Sequence, residues 1–559
     1  MIMDKKIFIG DTVFKMGPQE INGQYVLIND EKFYQISNYD KMKPFFMSIV
    51  SNSDLWMFIS SNGALTAGRK NADNALFPYY TDDRIHDSQE VTGSKTIVFV
   101  THEGKTSLWE PFSEKYQGVY HLERNIFNNV FGNKLIFEEI NIDLSMIFQY
   151  AWFNAEKYGF IRKAQIKNIG SNPVAVNLLD GLQNILPDGI ERKFQLEYST
   201  LADGYKKNEL QADTGLGLFT LSSIPTDKAE PSEALKATTV WSVGVKDAKI
   251  LLSTRQMDSF RKGLPIVQET DVRAARGAYL IHSEFELAAD HEKEWYLVVD
   301  TNKDGSEVDY LSQLIKNNQN LKHQIEKEIA ISTENLKINV ASADGFQTTE
   351  DELSASRHFS NVLFNIMRGG IFDDGYQVDK SDFELFIQKT NKNISKKHQD
   401  FFEELPDKLQ HSELLKQIET LNDLDFEKLC YEYLPLTFSR RHGDPSRPWN
   451  HFSIEIKNEQ GDKNLNYEGN WRDIFQNWEA LAISFPDYIE SMITKFVNAS
   501  TADGYNPYRI TREGFDWEVL DPSNPWSYIG YWGDHQIIYL AKLLELSLRY
   551  HPEIGRAHV

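Results

Sequence analysis

A single cysteine, Cys430, stands in the 559 residues. That excludes an internal disulfide, and a lone thiol is ordinarily a small buried hydrophobe rather than a reactive group. Long apolar runs are missing too: nothing approaches the roughly 20 consecutive apolar residues that a membrane-spanning helix needs. The N-terminus, MIMDKKIFIGDTVFKMG, offers only the short run IFIG before Asp11, far less than a signal-peptide core requires. Positive charge is in short supply, with 59 Lys and Arg against 82 Asp and Glu and a net charge of −23. A field of that sign repels phosphate backbones and anionic membrane surfaces. Low-complexity tracts are absent. These shortages describe a cytoplasmic globular protein with no nucleic-acid or membrane partner, for which a neutral substrate fits best.

What is present divides the chain. At 559 residues, about 100–200 residues per domain calls for at least two. Short β-rich runs fill the first part: KTIVFVT, KLIFEEINI, VAVNLLDG, GLGLFTLSS, ATTVWSVG, KILLST, GAYLIHSEFEL and EWYLVVD. Punctuated by NG, DG and GN dipeptides, they predict an antiparallel β-sandwich over residues 1–304 rather than βαβ units. SEVDYLSQLIKNNQNLKHQIEKEIAIS carries apolar residues at helical spacing and predicts a helical linker over 305–345. Beyond it, SASRHFSNVLFNIMRGG stops at Gly-Gly, while DFELFIQKTNKNISKKHQDFFEELP and HSELLKQIETLNDLDFEKLCYEYLP each stop at proline. With NWRDIFQNWEALAISFPDYIESMITKFVNAS and GDHQIIYLAKLLELSLRYHPE, they predict part of a helical toroid over 346–553, its long aromatic loops gathered at one mouth.

Six of the eleven tryptophans fall between Trp449 and Trp532, among acidic, basic and amide residues. Indole faces stack on sugar C–H surfaces while fixed donors and acceptors satisfy the hydroxyls, so this composition points to a carbohydrate site. The alternative is that the rings fill a helical core. Between Trp471 and Trp478, Arg472 and Gln476 at i and i+4 share one face of a helix start, beside Asp473 and Asn477. Arg can donate in a fork to vicinal hydroxyls and Asp can accept from two. A plain helix-start carboxylate beside a surface ion pair is the other reading. A Gly-lined loop carries Trp532 into Asp534 and His535, where Asp534 is either a sugar contact or an N-cap. No further ligand spacing accompanies that pair, so no metal is expected.

Arg440, Arg441, His442 and Arg447 form a cationic loop, able to bind phosphate or close as a lid, or equally to anchor on acidic neighbours. Arg368-Gly369-Gly370 and Asp373-Asp374 fall at the corresponding mouth, the glycines as a helix stop. In the β-rich part, Ser61-Asn62-Gly63 reads as a hairpin turn.

SNGALTAG followed by ALFPYY, together with NWRDIFQN, resembles glycoside hydrolase family 94, the cellobiose phosphorylase-like proteins, in its early sandwich motif and its barrel motif Y-R-D-x-x-Q-D. Asp534, in GDHQIIYL, is similar in place to the Asp of that family's S-D-D-x-L-W-L segment. The resemblance implies a β-sandwich, a helical linker and an (α/α)6 barrel, incomplete here. It also implies inverting phosphorolysis of a β-linked glucosyl disaccharide or oligosaccharide. In that reaction one carboxylic acid protonates the glycosidic oxygen while phosphate attacks the anomeric carbon from the opposite face. Inorganic phosphate would be a co-substrate, with no cofactor, and homodimers are common in the family.

By the same resemblance, Arg472 and Asp473 would hold the non-reducing sugar; the residue chemistry above adds Gln476, Trp471, Trp478, Trp532, Asp534 and His535 as further candidate substrate contacts. The motif's final Asp is Asn477 here, and the family's downstream G-D-W-N-D motif, which carries the catalytic acid, does not occur. Asp516 and Glu518, flanking Trp517, are the fallback acid. Ile554 to Val559 is what a common sequencing adapter encodes in one frame, so 554–559 is read as a non-native tail and the chain as an inactive N-terminal fragment. An inverting hydrolase on the same scaffold and a non-catalytic carbohydrate-binding protein are the alternatives.

Overall fold

The computed structural model describes residues 6–225, 229, 232–441, 443–447, 452–458, 460–516, 522, 530–532 and 536–555. The chain forms two compact units: Met1–Asn335 with Asp444–Trp449, and Leu336–Gly443 with Asn450–Val559.

Among the described residues of the first unit, eleven strands form one sheet, with Glu292–Lys303, Gly159–Asn168, Met146–Ala155 and Leu135–Asn141 adjacent at its centre. A second sheet has five, in the order Lys249–Leu251, Gly277–Leu287, Val174–Ile185, Gly93–His102 and Lys105–Trp109. Neighbours pair antiparallel, as expected from the turn-punctuated sequence. Side chains alternate across a strand, and here both faces are covered. Trp295, Leu297 and Val299 enter the core shared by the two sheets, while Tyr296 and Val298 pack with Leu311, Leu321, Ile325 and Ile329. That two-sided burial is why EWYLVVD reads as an unbroken apolar run.

The helices that supply those leucines and isoleucines, Gly305–Asn317 and Leu321–Ala341, occupy the predicted linker. The first opens with a capping box: Asp304 accepts from the Ser306 and Glu307 amides, and Glu307 reaches back to the Asp304 amide. Through residue 335 they are a packed layer of the first unit. Inside the shared core, Arg162 and Asp180, one from each sheet, form an ion pair at 2.7 Å with both side chains 0% exposed. Thr96 and Trp295 also donate to Asp180, at 2.6 and 2.7 Å. Ser61-Asn62-Gly63 is the predicted turn, joining Leu55–Ser60 to Leu65–Arg69 with Gly63 at φ +91°.

In the second unit, Glu352–Gly369 ends at Gly370, whose φ of +87° suits only glycine comfortably. The next two predicted helices are broken into shorter ones. Asn391, extended at φ −148°, ends Lys380–Thr390 and caps Lys392–Lys397, and Gln399–Glu404 follows. Asn422 at φ +51° and the cap Asp423 separate His411–Glu419 from Leu424–Tyr431. These pieces enclose their own core, from Val378 and Phe383 to Phe426, Cys430 and Tyr433. Trp471–Ser484, Ile489–Ala499 and Ile537–Tyr550 build another around Trp471, Phe475, Trp478, Phe496 and Leu543. The described residues of the second unit thus hold two cores, one of them confined to the segment from Val378 to Tyr433. Cys430 is 1% exposed, and burial pushes its thiol up. No described helix is long and apolar enough to cross a membrane.

Candidate functional site

The chain enters and leaves the segment holding the first of these cores through one short ladder, Ile371 opposite Thr437 and Phe372 opposite Leu436. A cleft of about 760 Å³ lies between this segment and residues 455–468 and 511–513, a size within the roughly 300–1,000 Å³ of ligand sites.

Its walls follow from local structure. Asp379 caps Lys380–Thr390, accepting from the Asp382 amide at 3.1 Å and the Ser381 hydroxyl at 2.5 Å, and the hydroxyl holds its carboxyl below the ordinary range. The first turn then presents Asp382, whose Oδ1 accepts from Arg512 Nη2 and whose Oδ2 accepts from the Tyr433 hydroxyl, both at 2.6 Å. Tyr433 is 0% exposed; burial first, and Asp382 next, hold its phenol protonated, so it remains a donor. Arg512 is fixed further by Nη1 donating to the Leu465 carbonyl at 2.5 Å and by its amide donating to the Tyr467 carbonyl at 3.0 Å.

Lys408 pairs with Asp374 at 2.7 Å, Lys389 with Glu513 at 2.5 Å, and Lys463 with Asp373. Asp374 pushes the Lys408 amine up. Glu468 also lines the cleft, accepting from the Ser453 hydroxyl and, at 3.5 Å, from Arg509. In all, seven described carboxylates line the cleft against four cations, and each of those cations is held in an ion pair.

The sequence-predicted site residues that are described lie elsewhere. Trp471 and Trp478 are both 0% exposed. Trp478 Nε1 donates to the Gly369 carbonyl at 2.9 Å, and Trp471 stacks on Phe475 and Phe496 at 5.7 and 5.3 Å between centroids. These rings pack protein and present no face to a sugar, because positions i and i+7 fall on the apolar stripe of the helix. Asp473 is half-buried in the first turn and Gln476 is exposed. Arg440 and Arg441 belong to the second unit, their amides donating to the carbonyls of Met367 at 2.6 Å and Ser453 at 3.0 Å; the exposed Arg447 belongs to the first. The side chains of Arg472, Asp516 and Trp532, and the whole of His442, Glu518, Asp534 and His535, lie outside the described residues.

Among the described residues, none of these candidates lines the cleft, whereas Asp373 and Asp374 do. Sequence reasoning passed over Asp382, Tyr433, Glu468 and Arg512. The helix-start spacing Asp379-Lys380-Ser381-Asp382 was a readable signal for the first; nothing local marks Arg512. No described cluster of His, Cys, Asp and Glu could hold a metal ion.

Residues 372–435 match the family model for glycoside hydrolase family 149 insertion domain 1. A comparison with curated proteins gives no match. Among solved structures, the chain is similar to a bacterial glucoamylase complexed with acarbose, at 10% identity and a TM-score of 0.34, covering 91% of this chain and 64% of that one. It is similar to a protein from the human microbiome assigned as a kojibiose phosphorylase, at 10% identity and a TM-score of 0.26, covering 86% and 52%. A third, assigned as an aldose 1-epimerase of Klebsiella pneumoniae, has 8% identity and a TM-score of 0.22, covering 52% and 91%. The chain spans less than two thirds of the glucoamylase and about half of the kojibiose phosphorylase-assigned protein.

Proposed function

We propose that the chain is a carbohydrate-active protein of the glycoside hydrolase and phosphorylase kind, built for inverting phosphorolysis of a β-linked glucosyl disaccharide or oligosaccharide but without the acid-bearing motif that the reaction needs. The observation that carries the carbohydrate reading is that the segment matching a glycoside hydrolase insertion domain has its own core and forms one wall of a polar, ligand-sized cleft. A neutral substrate agrees with the net charge of −23. Phosphorolysis in place of hydrolysis rests on the motif resemblance alone. In that reading phosphate is the nucleophile and one carboxylic acid suffices, since no base is needed to activate water.

The test is incubation of the purified chain with β-linked gluco-oligosaccharides, with and without inorganic phosphate, alongside equilibrium binding. Binding without product is the expected outcome for this chain, because the G-D-W-N-D motif that carries the resembled family's acid does not occur in it; glucose 1-phosphate formed only with phosphate assigns an active phosphorylase. Free glucose regardless of phosphate assigns an inverting hydrolase. No binding and no product with any of these sugars overturns the reading.

A further inference from the structure

The donors and acceptors around the cleft are unequally available. Ammonium and guanidinium groups only donate, whereas an ionised carboxylate only accepts, through about four lone-pair sites. Lys389, Lys408, Lys463 and Arg512 are each committed to a carboxylate. Carboxylates exceed these cations by three, from seven and four. Asp382 receives Arg512 on one oxygen and Tyr433 on the other, leaving lone pairs on both. Glu455, on the same wall as Glu468, is exposed. The excess in charge is negative and its acceptors suit O–H or N–H groups of a ligand, while the amides of Gln377, Asn464 and Asn466 add donors and acceptors alike.

We propose that this cleft is a glycan-binding groove that takes donor-rich sugars, neutral or amino, and rejects acidic ones. The proposal rests on the carbohydrate reading above and adds its site and its ligand class. Sugar hydroxyls meet the free acceptors, and an amino sugar adds a positive charge where negative charge is in excess. A uronic acid brings acceptors and a further negative charge into a lining where carboxylates already exceed cations by three. Tyr433 is buried and its ring presents no platform, so recognition runs through polar edges rather than stacking. The relay from Tyr433 through Asp382 to Arg512 fixes the central carboxylate before any ligand arrives.

The experiment titrates the purified chain with three probes: a β-linked gluco-oligosaccharide, its glucosamine counterpart and its glucuronic acid counterpart. The first two are expected to bind, and the acidic one about tenfold more weakly or less. Asp382→Asn is expected to weaken binding about tenfold, but it also disturbs Arg512 and Tyr433. Two further variants therefore carry the test without touching a core: Glu455→Gln, and Leu385→Trp, which fills the cleft from a position 44% exposed. Both should weaken binding while leaving the melting temperature unchanged. Equal affinity for the acidic probe overturns the proposal. Sugar binding that all three variants leave intact also overturns it, placing the glycan site elsewhere while the carbohydrate reading stands. Absence of binding and turnover with every probe takes down both.

Discussion

The Lys495 ammonium donates to the carbonyl oxygen of Arg512 at 3.4 Å, from a side chain 2% exposed that lies near the rings of Phe386 and Phe515. A buried lysine thus stands behind the residue whose guanidinium lines the cleft. Burial pulls its amine from the ordinary 10.5 down to about 8, against the opposing influence of Glu432. Between those two values the unfolded chain holds a proton that the folded chain has released. Stability therefore rises as pH rises from about 8 to about 10.5 and does not vary with this group below that window. The expected gain is at most about 3 kcal/mol. Urea midpoints of the parent should climb across this window and those of Lys495→Met should not; a variant that still climbs assigns the effect to another group.

His411 carries a related penalty on the acid side. It is 1% exposed, neither ring nitrogen has a hydrogen-bond partner, and its ring lies 4.1 Å from that of Tyr488. Burial lowers its value from 6.5 to about 4. The unfolded state takes up the proton first, so stability should fall as pH falls from about 6.5 to about 4. His411→Phe removes two unsatisfied polar atoms and keeps an aromatic contact, and is expected to raise the melting temperature most at about pH 4 and below. A melting temperature that falls instead indicates that the nitrogens are satisfied by water.

The contrast between these buried groups and the predicted ones shows what the sequence could convey. Strand runs such as GAYLIHSEFEL and the Gly369-Gly370 helix stop were legible because period and φ preference are local. The break at Asn391 was also local, an Asn ready to cap, yet the apolar period continued across it and suggested one helix. Arg512 was illegible because its meaning comes from Asp382, 130 residues away. Trp471 and Trp478 are the opposite case, buried in a core. Their chemistry suits sugars and cores alike, and only burial separates the two uses.

The Arg162–Asp180 pair makes a sharper test of the first unit. Both side chains are fully buried and Asp180 also accepts from Thr96 and Trp295. Removing one partner leaves a bare charge in the core, at a cost of about 3–5 kcal/mol. Arg162→Met alone should therefore lower the denaturation midpoint strongly. Adding Asp180→Leu should recover part of that loss, although Thr96 and Trp295 then lack their acceptor. If the double variant is as unstable as the sum of the singles, the cost belongs to packing rather than charge.

Trp478 separates the core reading of the aromatic helix from the sugar-platform reading. Its indole nitrogen donates to Gly369 across the contact between two helices, and a methyl group on Gly369 would come within 3.1 Å of Asn477 Cβ and 3.2 Å of Trp478 Cδ1. Trp478→Phe strands a buried carbonyl, a loss of about 1–3 kcal/mol before the change in volume is counted. Gly369→Ala should also destabilise, by forcing the helices apart. Both variants should melt early and bind gluco-oligosaccharide as the parent does below their transitions, the reverse of the pattern expected for Leu385→Trp. Lost affinity in Trp478→Phe at an unchanged melting temperature would return the indole to the binding surface.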